Sequence, residues 1–234
     1  MQNKNYLIIG GSYGIGLEIV NILAGANTNA NVYVAARTNE HLPQSSNIHF
    51  QKFDALSEDA LEIPDELHGL VYCPGSINLK PFRSLKPKAF REDFEINVVG
   101  AVKTLQAAQK VLQKTENASV VLFSTVAVTQ GMPYHASVAA SKGAIEGITK
   151  SLAAEWSPKI RVNCIAPSLT DTPLAARLLS NEDRREASAQ RHPLKRFGSA
   201  KDIAESACFL LSNKSSWMTG QVLGVDGGIS TLKV

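Results

Sequence analysis

The 234-residue chain is 44% hydrophobic and 19% charged, with a formal net charge of +3. That is enough apolar matter for one large core, expected to run as a single domain over residues 1–234, and too much for a disordered polymer. The positive charge is small and scattered, and no apolar run reaches the roughly 18 residues of a membrane span, so neither nucleic acid nor a bilayer is expected as a partner.

The opening stretch "MQNKNYLIIGGSYG" passes straight into a strand pattern. That leaves no room for a secretory leader and points to a cytoplasmic protein. Short β-branched runs then alternate with longer helical patterns. "NYLIIG", "NVYVAA", "NIHFQKF", "GLVYC", "SVVLFS", "IRVNCIA" and "QVLGV" read as strands that are apolar on both faces, as a parallel sheet covered on both sides requires. Between them, Ile15, Ile19, Ile22 and Leu23 mark a first helix, and Phe90, Phe94, Val98, Ala101 and Leu105 mark a long middle one. Residues 136 to 156 form another helix, small-sided on nearly every face, and Ser199 caps a late one. The expectation is an α/β doubly wound fold, a mainly parallel sheet with helices on both faces. Cys73, Cys164 and Cys208 are far apart and flanked by apolar residues, the pattern of reduced thiols and not of a disulfide or metal site.

"LIIGGSYGIGLEIV" sets Gly10, Gly14 and Gly16 at the first strand-to-helix turn. Gly10 permits the tight turn, Gly14 the approach of a pyrophosphate, and Gly16 close packing of helix on strand. With Ser12, Tyr13 and Ile15 between them, they form a loop whose following helix offers free N–H groups to phosphate. In NAD-binding folds of this kind an acid about 20 residues further on holds the ribose 2′-OH. This chain reads "VYVAARTNE" there, with Ala36 followed by Arg37. A missing carboxylate and an available guanidinium favour NADP over NAD.

The glycines are spaced G-x-x-x-G-x-G, and the chain continues with "INVVGA", "SKGAIEGITKSLAAEW", "IRVNCIAP" and "TGQVLGVDGG". With these motifs the sequence resembles the short-chain dehydrogenase/reductase family from about residue 5 to residue 230. The resemblance implies a seven-stranded sheet, a nicotinamide cofactor, a small-molecule substrate, and a homodimer or homotetramer. It gives Asp54 the adenine contact and sets Gly75 in the turn after the fourth strand, which reads "YCPG" where the family has Asn-Asn-Ala-Gly. It matches Asn97 to the asparagine that supports a relay water, and Lys142 to the lysine that holds the nicotinamide ribose. Pro167 and Thr172 match the carboxamide segment, with Ser168 replacing its glycine.

Two catalytic positions depart from the family pattern. The serine that polarises the substrate carbonyl is here Thr125, which keeps the hydroxyl. The tyrosine that donates the proton, four residues before the lysine, is here Val138, which has no polar atom. Hydride transfer to a carbonyl leaves an alkoxide that needs a proton. His135 lies seven residues before Lys142, two turns back on the same helical face, with Tyr134 beside it. The resembling enoyl-reductase branch also places its tyrosine seven before the lysine. The proton therefore comes from His135, from Tyr134, or from no side chain at all.

The sequence thus points to an NADP(H)-dependent oxidoreductase acting on a small carbonyl, alcohol or activated alkene, with Asn97, Thr125, His135 and Lys142 as its catalytic residues. The alternative is a non-catalytic dinucleotide-binding module, a sensor or assembly partner that has lost its tyrosine. Residues 173 to 197 fall on the family's variable substrate lid. Its arginines, Arg177, Arg184, Arg185 and Arg191, read as solvated charges.

Overall fold

Strand and helix alternate along the chain as β1 (Lys4–Ile9), α1 (Gly14–Leu23), β2 (Ala30–Ala36), β3 (Ile48–Lys52), β4 (Gly69–Tyr72), α2 (Pro87–Phe94), α3 (Gly100–Leu112), β5 (Ala118–Phe123), α4 (Ala127–Gln130), α5 (Ala136–Trp156), β6 (Ile160–Pro167), β7 (Thr170–Asp171), α6 (Glu182–Arg191), β8 (Gly198–Ser199), α7 (Ala200–Leu211) and β9 (Val222–Val225). The computed structural model describes residues 4–25 and 29–233. The first three residues of the opening stretch, with residues 26–28 and 234, lie outside the described residues.

Seven strands form one sheet in the order β3-β2-β1-β4-β5-β6-β9. Every pairing in it is parallel, so the expected mainly parallel sheet is wholly so. The chain order reverses between β1 and β4, and a crevice at the carboxyl ends of strands flanking such a switch is where ligands bind in this architecture. The reason for apolar strands on both faces is visible in β1. Leu7 and Ile9 enter a core with Leu105 of α3 and Ile145 of α5, while Tyr6 and Ile8 enter a second core with Ile19 of α1 and Ile203 of α7. Each fully buried Leu or Ile contributes roughly 1.5–3 kcal/mol of transfer free energy, so the sheet is held from both sides.

The middle helix departs from the expected single run. α2 and α3 are joined by a π-helical turn, Glu95–Val99. The wider turn rotates the residues before it relative to those after it. Val98, Ala101 and Leu105 are buried as expected, but Phe94 is 45% exposed and does not share their face. Single π turns are rare in helices and cluster at functional sites.

The lid also differs from a plain solvated helix. Arg184 donates to the Arg177 carbonyl, and Arg185 pairs with Asp171 at 2.8 Å while stacking over Phe197. His192, just past α6, is buried between Ser188 and Ser168. Its Nδ1 faces the Ser188 carbonyl at 2.8 Å. A carbonyl only accepts, so Nδ1 carries the proton and Nε2 accepts from the Ser168 hydroxyl at 2.9 Å. Ser168 is thereby tied to the end of α6.

Ser199 caps α7 as expected, and does so reciprocally: its hydroxyl accepts from Asp202 N–H while the Asp202 carboxylate accepts from Ser199 N–H. Arg196 adds two bonds to the same carboxylate, at 2.7 and 2.9 Å. Ser199→Ala should cost about 1 kcal/mol in urea unfolding, the ordinary loss of an N-cap. Asp202→Ala keeps the backbone N–H that Ser199 caps but should cost more, because it removes the carboxylate's bonds to Ser199 and the Arg196 pair together. Equal losses would show that the arginine contributes nothing.

Candidate active site

The turn between β1 and α1 is built on backbone that side chains resist. Gly10 sits at φ +74° and Gly14 at φ +52°, and a Cβ on Gly16 would stand 2.3 Å from the Gly10 carbonyl oxygen. Glycine at all three is therefore a steric requirement of this loop. Tyr13, the N-cap of α1, is extended and makes no side-chain cap bond, and the first turn holds no acid. The first N–H groups of the helix are left to a ligand, with the positive end of the helix dipole behind them.

This turn forms one end of a groove of about 490 Å³ over the carboxyl ends of the strands. Gly10, Ser12, Tyr13, Gly14, Ile15 and Gly16 all line it, as do Arg37, Asp54, Gly75 and Thr172. Ala36 is buried in the groove floor, whereas Arg37 is exposed and forms no ion pair among the described residues. At the same rim the Tyr13 hydroxyl lies 3.4 Å from both Glu40 and Thr38, and the Tyr13 ring meets His41 edge-on at 4.7 Å. Glu40 was not among the expected site residues. Asp54 accepts from Leu56 N–H at 3.0 Å, which fixes the turn after β3.

Lys142 and Pro167 do not line this groove. Pro167 ends β6, where its carbonyl accepts from Val126 N–H. Lys142 is 8% exposed and donates from Nζ to the Phe123 carbonyl at 2.9 Å. Burial lowers its pKa from 10.5 to about 8, against the opposing pull of Cys164, Cys73 and Asp93. Gly75 explains how a groove residue reaches this ammonium. A Cβ there would stand 3.1 Å from Asn97 Oδ1 and 3.4 Å from Lys142 Nζ, so glycine leaves open the space that both groups face.

Asn97 projects from the π turn. The two N–H groups of its amide nitrogen face three acceptors, the Asp93 carbonyl and the Ser76 and Ser141 hydroxyls, at 2.8, 3.0 and 3.1 Å. Its Oδ1 is buried without a hydrogen-bond partner. Asp93, one turn earlier and fully buried, accepts from Ser76 and Asn78 at 2.6 Å each. None of Asp93, Ser76 or Asn78 was singled out from the sequence.

Of the paired hydroxyls after β5, Ser124 is spent inside, donating to Glu146 at 2.6 Å. Thr125 is half-buried, and its hydroxyl accepts weakly from Ala127 N–H at 3.3 Å. Val138 is buried one turn before Lys142, an apolar contact where the family pattern has an acid. His135 is the N-cap of α5, and its carbonyl accepts the first helical bond, from Ala139. Its Nδ1 lies 2.8 Å from the Pro133 carbonyl, so Nδ1 donates and Nε2 is the free ring nitrogen. Tyr134 holds a left-handed φ of +71°, is 58% exposed, and has no hydrogen bond on its hydroxyl among the described residues. No hydrogen bond joins Thr125, His135 or Tyr134 to Lys142 among the described residues.

A crevice at the strand-order switch, a glycine loop on a helix N-terminus, and a buried lysine–asparagine pair define a dinucleotide-binding oxidoreductase fold. The sequence model of the family described as Enoyl-(Acyl carrier protein) reductase matches residues 14–230, and the chain belongs to the short-chain dehydrogenase/reductase family, among its NAD(P)-dependent oxidoreductases. A tropinone reductase homolog of Arabidopsis thaliana is 30% identical over 98% of this chain and 94% of its own length. The peroxisomal 2,4-dienoyl-CoA reductase SPS19 of Saccharomyces cerevisiae is 37% identical over 63% of this chain, a match that spans only 51% of the yeast protein. Among solved structures, ElxO with NADP bound superposes with a TM-score of 0.87 at 26% identity, covering 99% of this chain and all of the other.

The buried ammonium makes stability depend on pH. Its folded pKa of about 8 lies below 10.5, so between these values the unfolded chain binds the proton better and stability rises with pH. In the absence of cofactor, the parent should gain on the order of 3 kcal/mol relative to Lys142→Met as pH climbs through that window. Denaturant unfolding of both proteins at a series of pH values measures this. Parallel curves would mean that burial does not lower the Lys142 pKa in the folded protein.

Proposed function

We propose that this chain is an NADP(H)-dependent oxidoreductase acting on a small carbonyl, alcohol or activated alkene, with a proton source other than the family's usual tyrosine. The observation that carries the proposal is the retention of Lys142 with Asn97, both buried and facing Gly75 at the groove, although Val138, one turn before the lysine, offers no acid. A chain that only folded would have no use for an ammonium buried at a cost of several kcal/mol.

The groove's residues fit the cofactor. The loop from Gly10 to Gly16 and the uncapped start of α1 would hold the pyrophosphate, and Asp54 the adenine. Arg37, free of any ion pair, would hold the 2′-phosphate, and Thr172 and Pro167 the carboxamide. Such a cofactor supplies or accepts the hydride. Thr125 would polarise the substrate oxygen with its hydroxyl. His135 would hold the proton at Nε2, its ring oriented by the bond from Nδ1 to the Pro133 carbonyl. In that role it must act as imidazolium, because the neutral ring carries its one proton on Nδ1. Tyr134 is the competing donor, and water beside Lys142 the third. Relatives named for a dienoyl thioester and for a ketone support an activated alkene and a carbonyl alike.

The exposed side of α5, with Ala136, Ala140, Gly147 and Ala154, supports assembly as a homodimer or homotetramer. Light scattering at micromolar concentration would return a single subunit mass if this is mistaken.

Two experiments test the function. In fluorescence titrations NADPH should bind more tightly than NADH. Arg37→Ala should lose about 1.5–3 kcal/mol for NADPH and little for NADH, whereas equal parent affinities would remove the case for NADP. In a carbonyl and enoyl substrate screen, His135→Ala should lower kcat by about 10²–10⁴ while leaving NADPH affinity nearly unchanged. Tyr134→Phe should be mild, and the reverse pattern assigns the proton to the tyrosine. Val138 also favours a second reading, a dinucleotide-binding module without turnover. Tight NADPH binding with no reacting substrate would support it.

A further inference from the structure

Among the described residues, the buried charged side chains are one carboxylate, Asp93, and one ammonium, Lys142. They come from different helices, α2 and α5, yet belong to one polar cluster. Asp93 Oδ1 accepts from Ser76 and Asn78, Ser76 accepts from the Asn97 amide, and Asn97 Oδ1 shares with Lys142 Nζ the space left by Gly75. Two oxygens in this cluster, Asp93 Oδ2 and Asn97 Oδ1, are buried without a hydrogen-bond partner. Lys142 spends one of its three N–H groups, on Phe123.

We infer that Asp93 is a positioning residue of the reaction centre: its buried carboxylate is the counter-charge that keeps Lys142 protonated, and its bonds to Ser76 set the orientation of Asn97. This deepens the proposed function, since it concerns how the lysine serves that site. Lone charges are not kept in a protein interior; they are neutralised or paired. The titratable groups around Lys142 are Cys73 at the end of β4, Cys164 on β6, and Asp93 on α2. Burial pushes both thiols up to about 12, so at neutral pH neither carries charge. Glu146, one turn along α5, faces Cys164 and is bonded by Ser124. Only Asp93 is left to hold the ammonium charged. In a site where Val138 offers no hydroxyl, the charge on Lys142 is what orders a ribose and favours proton release from a neighbouring acid.

Lysine ¹³Cε NMR tests this without any turnover. The Lys142 resonance, assigned by its loss in Lys142→Met, should titrate near 8 in the parent and at a lower pH in Asp93→Asn. Ser76→Ala keeps the carboxylate and should leave the midpoint within a few tenths. If Asp93→Asn does not fold, the parent alone decides. Its Asp93 ¹³Cγ resonance should respond at the Lys142 midpoint, because the two groups belong to one polar cluster. An unchanged Lys142 midpoint in folded Asp93→Asn, or an Asp93 carbon indifferent to the Lys142 titration, overturns the inference. Where a substrate is found, the pH limb of kcat/KM that reports Lys142 should move down in Asp93→Asn, while a purely structural role would lower the rate at every pH alike. Absence of turnover would count against the proposed function and leave the NMR result standing.

Discussion

Taking an ammonium group out of water costs several kcal/mol unless its surroundings replace the lost hydration, and the placement of Lys142 obliges much of what lies around it. The end of β5 turns a carbonyl, that of Phe123, toward Nζ. Glycine at position 75, in the turn after β4, leaves room beside both groups, since a Cβ there would press on Asn97 and touch the ammonium. The helix before α3 widens into a π turn at the level of Asn97. Each of these features is a weak or rare choice when taken alone. Together they surround one charge.

The groove above it is electrostatically mixed. At the β1–α1 end, uncapped N–H groups and the exposed Arg37 make it attractive to phosphate. At the rim, Glu40 contacts Tyr13 and sets a carboxylate close to where that attraction acts. This end of the groove therefore carries both signs of charge, with Arg37 as the positive side. The lid end is tied differently. Buried His192 joins Ser168 to the end of α6, so the segment after β6 and the α6 region share a hydrogen bond that a glycine at position 168 would not provide.

Much of this was legible in the sequence because it depends on local or periodic constraints. The strands show as runs apolar on both faces, the loop as glycines at a strand-to-helix turn, and Ser199 as a cap followed three residues later by Asp202. Lys142 stood out as a charge in a small-sided helix. What escaped depends on long-range contact. Asp93 reads as one acid in "REDFEIN", a stretch no different from a solvated helix face until Ser76 and Asn78 are brought against it. His192 looks like one more polar residue in a basic segment, and only the fold brings Ser168 to it. The middle helix was expected to be continuous because an apolar period of about 3.6 residues does not reveal a single wider turn.

That wider turn has a consequence for how the chain tolerates changes of length. Before Glu95 and after Val99 the helix runs in two angular frames, offset by the π turn. Asp93 belongs to the first, and Leu105 and Leu112 to the second. Removing any one residue between positions 95 and 99 would let the helix close into a single α-helical frame. It would then either keep Asp93 and Asn97 in their buried polar cluster or seat its leucines in the core, but not both. Loops elsewhere on the surface absorb insertions and deletions at small cost. Across these five residues, the spacing is as much a part of the active centre as any side chain.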